Sequence, residues 1–177
     1  MLNSDGGIET DLTVVCLSDD HYRIIGAAAT RERDKFHIKK NLLSDVELID
    51  VTDDYVCLGL FGPKSRELIQ EISGDDFSNE KLKFGYSKNI LIENKNVWVQ
   101  RLSYVGEIGY ELYIKISDAK LIFNKIIEVG KKYNISLCGA HAMDILRMES
   151  GFLHWGHDIS PEENQLEAGL NFAISFK

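Results

Sequence analysis

Ser103-Tyr104-Val105-Gly106-Glu107-Ile108-Gly109-Tyr110-Glu111 sets two glycines and two glutamates among strand-forming residues. Glycine inside a strand pattern marks a bulge, a turn or a close approach of backbone. The run reads as a turn that delivers Glu111 onto a new strand over 111–116. A glutamate beside tyrosine rings can accept paired N–H donors from a flat heterocycle while a ring stacks on it. A plain hairpin turn accounts for the same spacing, so both readings stay open on this stretch alone.

Working outward, strands over 87–93 and 97–104 join across Asn94-Lys95-Asn96. Strands over 46–51 and 55–61 flank the turn at Thr52-Asp53-Asp54, and strands over 11–17 and 22–28 form a hairpin across Ser18-Asp19-Asp20. A last strand is expected over 170–176. Thr30 is a candidate N-cap for a helix to about Lys40. Gly62-Pro63 opens a second helix, with Leu68, Ile69 and Ile72 as its apolar stripe and Gly74 as its stop. A third follows Ser117-Asp118 and closes at Gly130, and a fourth covers 140–150 before Gly151. Ser160-Pro161-Glu162-Glu163 reads as a capping box opening a further short helix. Strands outnumber helices and arrive in hairpins rather than in strand–helix alternation. The class is α+β, mainly antiparallel sheets with flanking helices.

The 177 residues suit one domain or slightly more. With 44% hydrophobic and 27% charged residues, disorder as the main state is excluded. The 28 acidic and 20 basic side chains leave a net charge of −8, a sign that repels phosphate backbones and anionic lipid. No nucleic-acid and no membrane partner is therefore expected. Cys16, Cys57 and Cys138 are odd in number and far apart, so they form neither a disulfide framework nor a metal site. Met1-Leu2-Asn3-Ser4-Asp5 carries no signal-peptide pattern, and no apolar run approaches the ~20 residues of a membrane span. The expected location is cytoplasmic, or the mitochondrial matrix in a eukaryote. The start and end on strand-like residues read as a piece of a longer protein.

Three other segments could carry chemistry. Asn3-Ser4-Asp5-Gly6-Gly7-Ile8-Glu9-Thr10-Asp11 joins a glycine turn to acids at the mouth of a strand, although a turn with solvated acids is the plainer reading. Asp144 and Arg147 stand at i,i+3 on a helix, the spacing of a surface ion pair. His154 and His157 share that spacing, but Gly156 between them favours a loop, and no metal ligand is assigned. No Ser-His-Asp triad, P-loop or GxGxxG is legible.

Together these segments resemble the folate-dependent aminomethyltransferase family, that of the glycine-cleavage T-protein. The resemblance rests on six stretches in order: Leu2-Asn3 with Gly6-Gly7-Ile8 and Asp11-Leu12; Thr30-Arg31-Glu32 with Asp34; Gly62-Pro63; Tyr104 to Leu112; Leu146 to Gly151; and Glu167-Ala168-Gly169-Leu170. It covers essentially the whole chain. Gly6-Gly7-Ile8-Glu9-Thr10-Asp11-Leu12-Thr13 and Gly151-Phe152-Leu153-His154-Trp155-Gly156-His157-Asp158-Ile159 are worded more like the folate-binding C-terminal region of sarcosine and dimethylglycine dehydrogenases. Thr10-Asp11 stands where the T-protein has an Asp pair, Ala27 where it has Asn, and Met143 where it has Arg.

The resemblance implies a partial aminomethyltransferase folate-binding fold. Residues 1–44 would form part of a first subdomain, 45–135 a second, and 136–177 the return to the first, with a C-terminal barrel absent. It implies tetrahydrofolate as the small-molecule partner, Asp11 as the catalytic carboxylate, and Tyr104, Glu111 and Arg147 as folate-binding residues. A one-carbon unit would pass from an N-methyl amine or glycine-derived donor to tetrahydrofolate. In the dehydrogenase branch FAD would sit on a missing N-terminal domain or on a separate flavin subunit. Two alternatives accompany this reading: a non-catalytic folate-binding or interaction module on the same scaffold, and the glycine-cleavage T-protein proper. Exposed strand edges would favour homo-oligomers, and this stretch of chain alone is expected to turn over weakly or not at all.

Overall fold

The computed structural model of the chain describes residues 1–174. They fall into two compact units. One comprises Met1–Ile49 with the described residues from Leu153 on, and the other is Asp50–Phe152. Residues 136–152 lie within the second unit.

The second unit is built on a four-stranded antiparallel sheet in the order β3-β6-β5-β4. Its strands are β3 (Tyr55–Phe61), β4 (Ser87–Ile92), β5 (Lys95–Gln100) and β6 (Gly109–Lys115). In β6 the alternation Tyr110, Leu112, Ile114 sends three side chains to one face, and all three are fully buried. Val97 and Val99 of β5, Leu60 of β3 and Ile90 and Ile92 of β4 complete that face. Helices α2 (Ser65–Ser73) and α3 (Ala119–Gly130) cover it with Leu68, Ile69, Ile72, Ile122 and Ile126. Phe77 closes the core edge-on to Tyr110, with ring centroids 5.1 Å apart. Gly74 ends α2 in the left-handed region at φ 74°, as the sequence predicts. Helix α4 (Ala140–Glu149) belongs to the same unit and stops before Gly151, also left-handed.

The first unit holds the hairpin of β1 (Thr13–Ser18) and β2 (His21–Ile25), followed by helix α1 (Arg31–Asn41). Thr30 precedes α1 but caps no backbone N–H; its hydroxyl bonds the Asp34 carboxylate (2.6 Å) and the Ala27 carbonyl (3.1 Å). The segment before β1 is tied to the last third of the chain. Ile8 N–H donates to the Glu163 carbonyl at 2.9 Å and Trp155 Nε1 to the Ile8 carbonyl at 2.8 Å.

Three expected elements differ. Residues 46–51 are rich in strand-forming Val, Leu and Ile, yet they pair with no strand; Asp50 instead accepts from the Thr52 N–H and hydroxyl at 3.1 and 2.8 Å. Half of the capping box forms at Ser160: its N–H donates to the Glu163 carboxylate at 2.7 Å, but its Oγ donates to the same carboxylate at 2.7 Å and accepts from the Glu162 N–H, and no helix follows. The last expected strand is replaced over Asn171–Ala173 by a short 3-10 turn, whose backbone groups are used locally: Ala173 N–H bonds the Leu170 carbonyl. Residues 175–177 of that expected strand lie outside the described residues.

Candidate functional site

The face of the sheet opposite the core carries Glu111, a candidate site residue. The alternation that buries Tyr110 and Leu112 puts Glu111 and Tyr113 together on this other side. Register places Gly59 of β3 and Gln100 of β5 on either side of Glu111, and Cys57 and Trp98 on either side of Tyr113. A Cβ at Gly59 or at Gly109 would overlap the Phe61 ring, so two glycines let that ring lie along the sheet beside Glu111. Tyr113 Oη donates to Glu111 Oε2 at 2.5 Å, and its ring packs on Trp98 with centroids 4.8 Å apart. Gln100 is 2% exposed; its Nε2 donates to the Gly85 carbonyl, while its buried Oε1 has no partner among the described residues.

Electrostatics follow from this crowding. Desolvation, and then the charge of Glu111, push the Cys57 thiol up to about 11. That thiol is neutral near pH 7 and no nucleophile there. Burial, with Cys57 and Glu111 as neighbours, raises the Tyr113 phenol as well, so it stays a protonated donor. The face thus offers acceptors edged by aromatic rings, an arrangement that suits a flat, donor-rich heterocycle.

Tyr104 and Arg147 meet at Phe152. The Tyr104 ring stacks on Phe152 at 6.2 Å between centroids, tilted by 15°. Arg147 is 3% exposed; its Nε bonds Asp144 Oδ1 at 2.7 Å and its Nη1 bonds the Phe152 carbonyl at 3.0 Å. The i,i+3 ion pair read from the sequence is therefore present, with its arginine buried rather than on the surface. Gly106, at φ 76°, lets the Tyr104 loop pass Ser150, whose hydroxyl a Cβ would overlap.

Asp11 lies in the first unit, exposed, just ahead of β1. Beside it in sequence, Glu9 takes two contacts from Arg33: Nη2 to Oε1 at 2.6 Å and Nη1 to its carbonyl at 2.7 Å. The Arg33 guanidinium also sits 4.2 Å over the Trp155 ring. His154 and His157 stack at 4.1 Å, and Asp158 bonds the His154 N–H, so this segment is an ordered loop.

The sequence reading missed Phe61, Trp98, Gln100 and Tyr113. Two of them had a signal: period-2 alternation on β6 puts Tyr113 beside Glu111, and Gly59 and Gly109 betray a ring between them. It also missed a groove of about 560 Å³ in the first unit, lined by Asn3, Glu9, Arg33, Phe36, His37 and Lys40 among others. Its signal was the recurrence of Arg33, His37 and Lys40 at i, i+4, i+7 on α1.

The antiparallel sheet, its two covering helices and the strand-borne glutamate define an α+β domain of aminomethyltransferase architecture. The glycine cleavage system aminomethyltransferase T from Bartonella henselae superposes over 99% of this chain and 46% of its own, at TM-score 0.85 and 25% identity. The chain belongs to the GCVT N-terminal domain family, whose profile matches residues 1–177. An aminomethyltransferase from Thermoanaerobacter sp. (strain X514) is 36% identical over 99% of this chain and 48% of its own length. The 4-methylaminobutanoate oxidase (formaldehyde-forming) of Paenarthrobacter nicotinovorans is 35% identical over 98% of this chain and 21% of its own length. The chain thus spans about half the length of the aminomethyltransferase and a fifth of the oxidase. Among the described residues no helix is long and apolar enough to cross a membrane.

Proposed function

We propose that this chain binds tetrahydrofolate and forms part of an enzyme that moves a one-carbon unit onto it. The observation that carries the reading is Glu111: a half-buried carboxylate on a strand, one oxygen held by Tyr113, with the Phe61 ring laid beside it. Glu111 accepts the N–H edge of the pterin, and Tyr104 lines the ring. Arg147 is committed to Asp144 and the Phe152 carbonyl, so it serves the site by holding the partner on which Tyr104 stacks. Asp11 is the catalytic carboxylate of this reading, stabilising developing positive charge and accepting the released proton. Bound tetrahydrofolate supplies the amine nitrogen that takes up the one-carbon unit.

The unpartnered Gln100 Oε1 next to Glu111 fits a ligand that brings donors rather than acceptors. The donor of the one-carbon unit is an N-methyl amine, oxidised by a flavin carried elsewhere. The wording around Gly6-Gly7-Ile8 and His154 and the likeness to the oxidase support that branch, while the equal likeness to aminomethyltransferases keeps the glycine-derived donor as its alternative. A GxGxxG-type flavin domain in frame upstream of Met1 in the gene is the expected sign of it.

Titration with tetrahydrofolate by calorimetry tests the pocket. Glu111→Ala removes a charge-assisted hydrogen bond of about 1.5–3 kcal/mol and should weaken binding roughly 10–100-fold. Equal binding by both proteins sinks the pocket. Asp11→Asn, assayed with a flavin partner supplied, should abolish formation of methylene-tetrahydrofolate with binding retained; unchanged turnover removes Asp11 from the mechanism.

A further inference from the structure

We infer that Tyr113 is the positioning residue of this site: it locks the Glu111 carboxylate in one rotamer through Oε2 and so presents Oε1 to the ligand. The inference rests on the tetrahydrofolate reading and adds to it a residue that touches no ligand.

The geometry leads there in steps. Glu111 and Tyr113 are two residues apart on β6, so their side chains rise from the same face. The phenol donates to Oε2 at 2.5 Å, the short distance of an O–H···O⁻ bond. Among the described residues no other donor reaches this carboxylate. The acceptor directly across the strand pair, Gln100 Oε1, is buried and likewise without a donor. Tyr113 is therefore the side chain that holds this carboxylate in the free protein.

The phenol is itself fixed. Tyr113 is 8% exposed, and its ring is braced by Trp98 from β5. A glutamate has three side-chain torsions, and freezing them on ligand binding costs affinity unless they are frozen beforehand. Tyr113 does that freezing in the free protein. Its raised phenol keeps the donor proton in place at neutral pH.

The test is a double-substitution cycle read by calorimetry. The unsubstituted chain, Tyr113→Phe, Glu111→Ala and the pair are each titrated with tetrahydrofolate, and with 6-methyltetrahydropterin as the ring alone. Tyr113→Phe should weaken both ligands by the same factor, about threefold to tenfold. In the Glu111→Ala background it should weaken neither further, which a merely structural tyrosine would not reproduce. Should Tyr113→Phe melt early, the four proteins are titrated at a temperature where all stay folded, and the same dependence on Glu111 is expected.

Three results overturn the inference. Tyr113→Phe binding like the unsubstituted chain, while Glu111→Ala is weakened, removes Tyr113 and leaves the folate pocket standing. Equal loss with and without the Glu111 carboxylate makes Tyr113 an independent contact or a packing residue. Glu111→Ala binding normally, or no binding by the unsubstituted chain, defeats the folate reading itself and the inference with it.

Discussion

Cys57 offers a probe of the site that needs no ligand. It stands across the strand pair from Tyr113, and after desolvation the nearest cause of its raised thiol, at about 11, is Glu111. A thiol alkylates through its thiolate. In the native chain the rate for Cys57 should therefore climb with pH to a midpoint near 11. Glu111→Gln removes the neighbouring charge and should move that midpoint down, measured by mass spectrometry of iodoacetamide-treated protein. An unmoved midpoint would place the carboxylate away from Cys57. The same shift links to stability. Raised from 9.0, the folded thiol holds its proton more tightly than the unfolded one. Its contribution is therefore complete below pH 9 and fades as pH rises towards 11.

Elements of this fold were legible where local chemistry allowed one solution. The stripe of Leu68, Ile69 and Ile72 with Gly74 behind it leaves α2 little choice, and the period-2 pattern of β6 fixes which face meets the core. Legibility failed where one pattern serves two structures. Ser160 and Glu163 bond each other around a turn instead of a helix start, and the strand-forming residues of 46–51 found no strand to pair with. Of the proposed site, Tyr104, Glu111 and Arg147 are candidates already in the sequence. The neighbours of Glu111 could not be read there, because Gly59 and Gln100 come beside it, and Trp98 beside Tyr113, only through strand register. Two glycines separate backbone strain from steric demand. At Gly74, φ is positive and a Cβ would meet nothing, so Gly74→Ala should cost about 1 kcal/mol and lower Tm by about 2–4 °C. At Gly7 an ordinary φ hides a backbone clash, since a Cβ would overlap the Pro161 carbonyl. Gly7→Ala should therefore lower Tm further than Gly74→Ala in thermal melts, and the reverse order would put the strap between the first residues and the 160s in question.

At the scale of the molecule the two units differ in how much they bury. Leu60, Leu68, Ile69, Phe77, Val97, Leu112, Ile114 and Ile122 give the second unit a continuous core, whereas among the described residues of the first the buried apolar side chains are Ile8, Val15 and Ile159. In their place the first unit relies on polar ties: Arg33 to Glu9, Trp155 to Ile8 and Glu163 to Ser160. Burial yields about 25 cal/mol per Å² of apolar surface, while an exposed ion pair contributes about 0–1 kcal/mol. The second unit should accordingly open last. Exposed apolar side chains such as Phe36, Leu43 and Phe172, all at least 70% exposed and all in the first unit, add a drive to self-association. Sedimentation at rising concentration should show it, and a strictly monomeric profile would count against it. Hydrogen exchange then reads the contrast directly. Amides of β5 and β6 should exchange only through global unfolding, those of β1, β2 and α1 through local opening at lower free energy. Added tetrahydrofolate should slow exchange at Glu111 and its strand neighbours, because a ligand that binds only the folded state stabilises what it touches. Uniform protection across both units would show that the polar ties hold the first as firmly as the core holds the second.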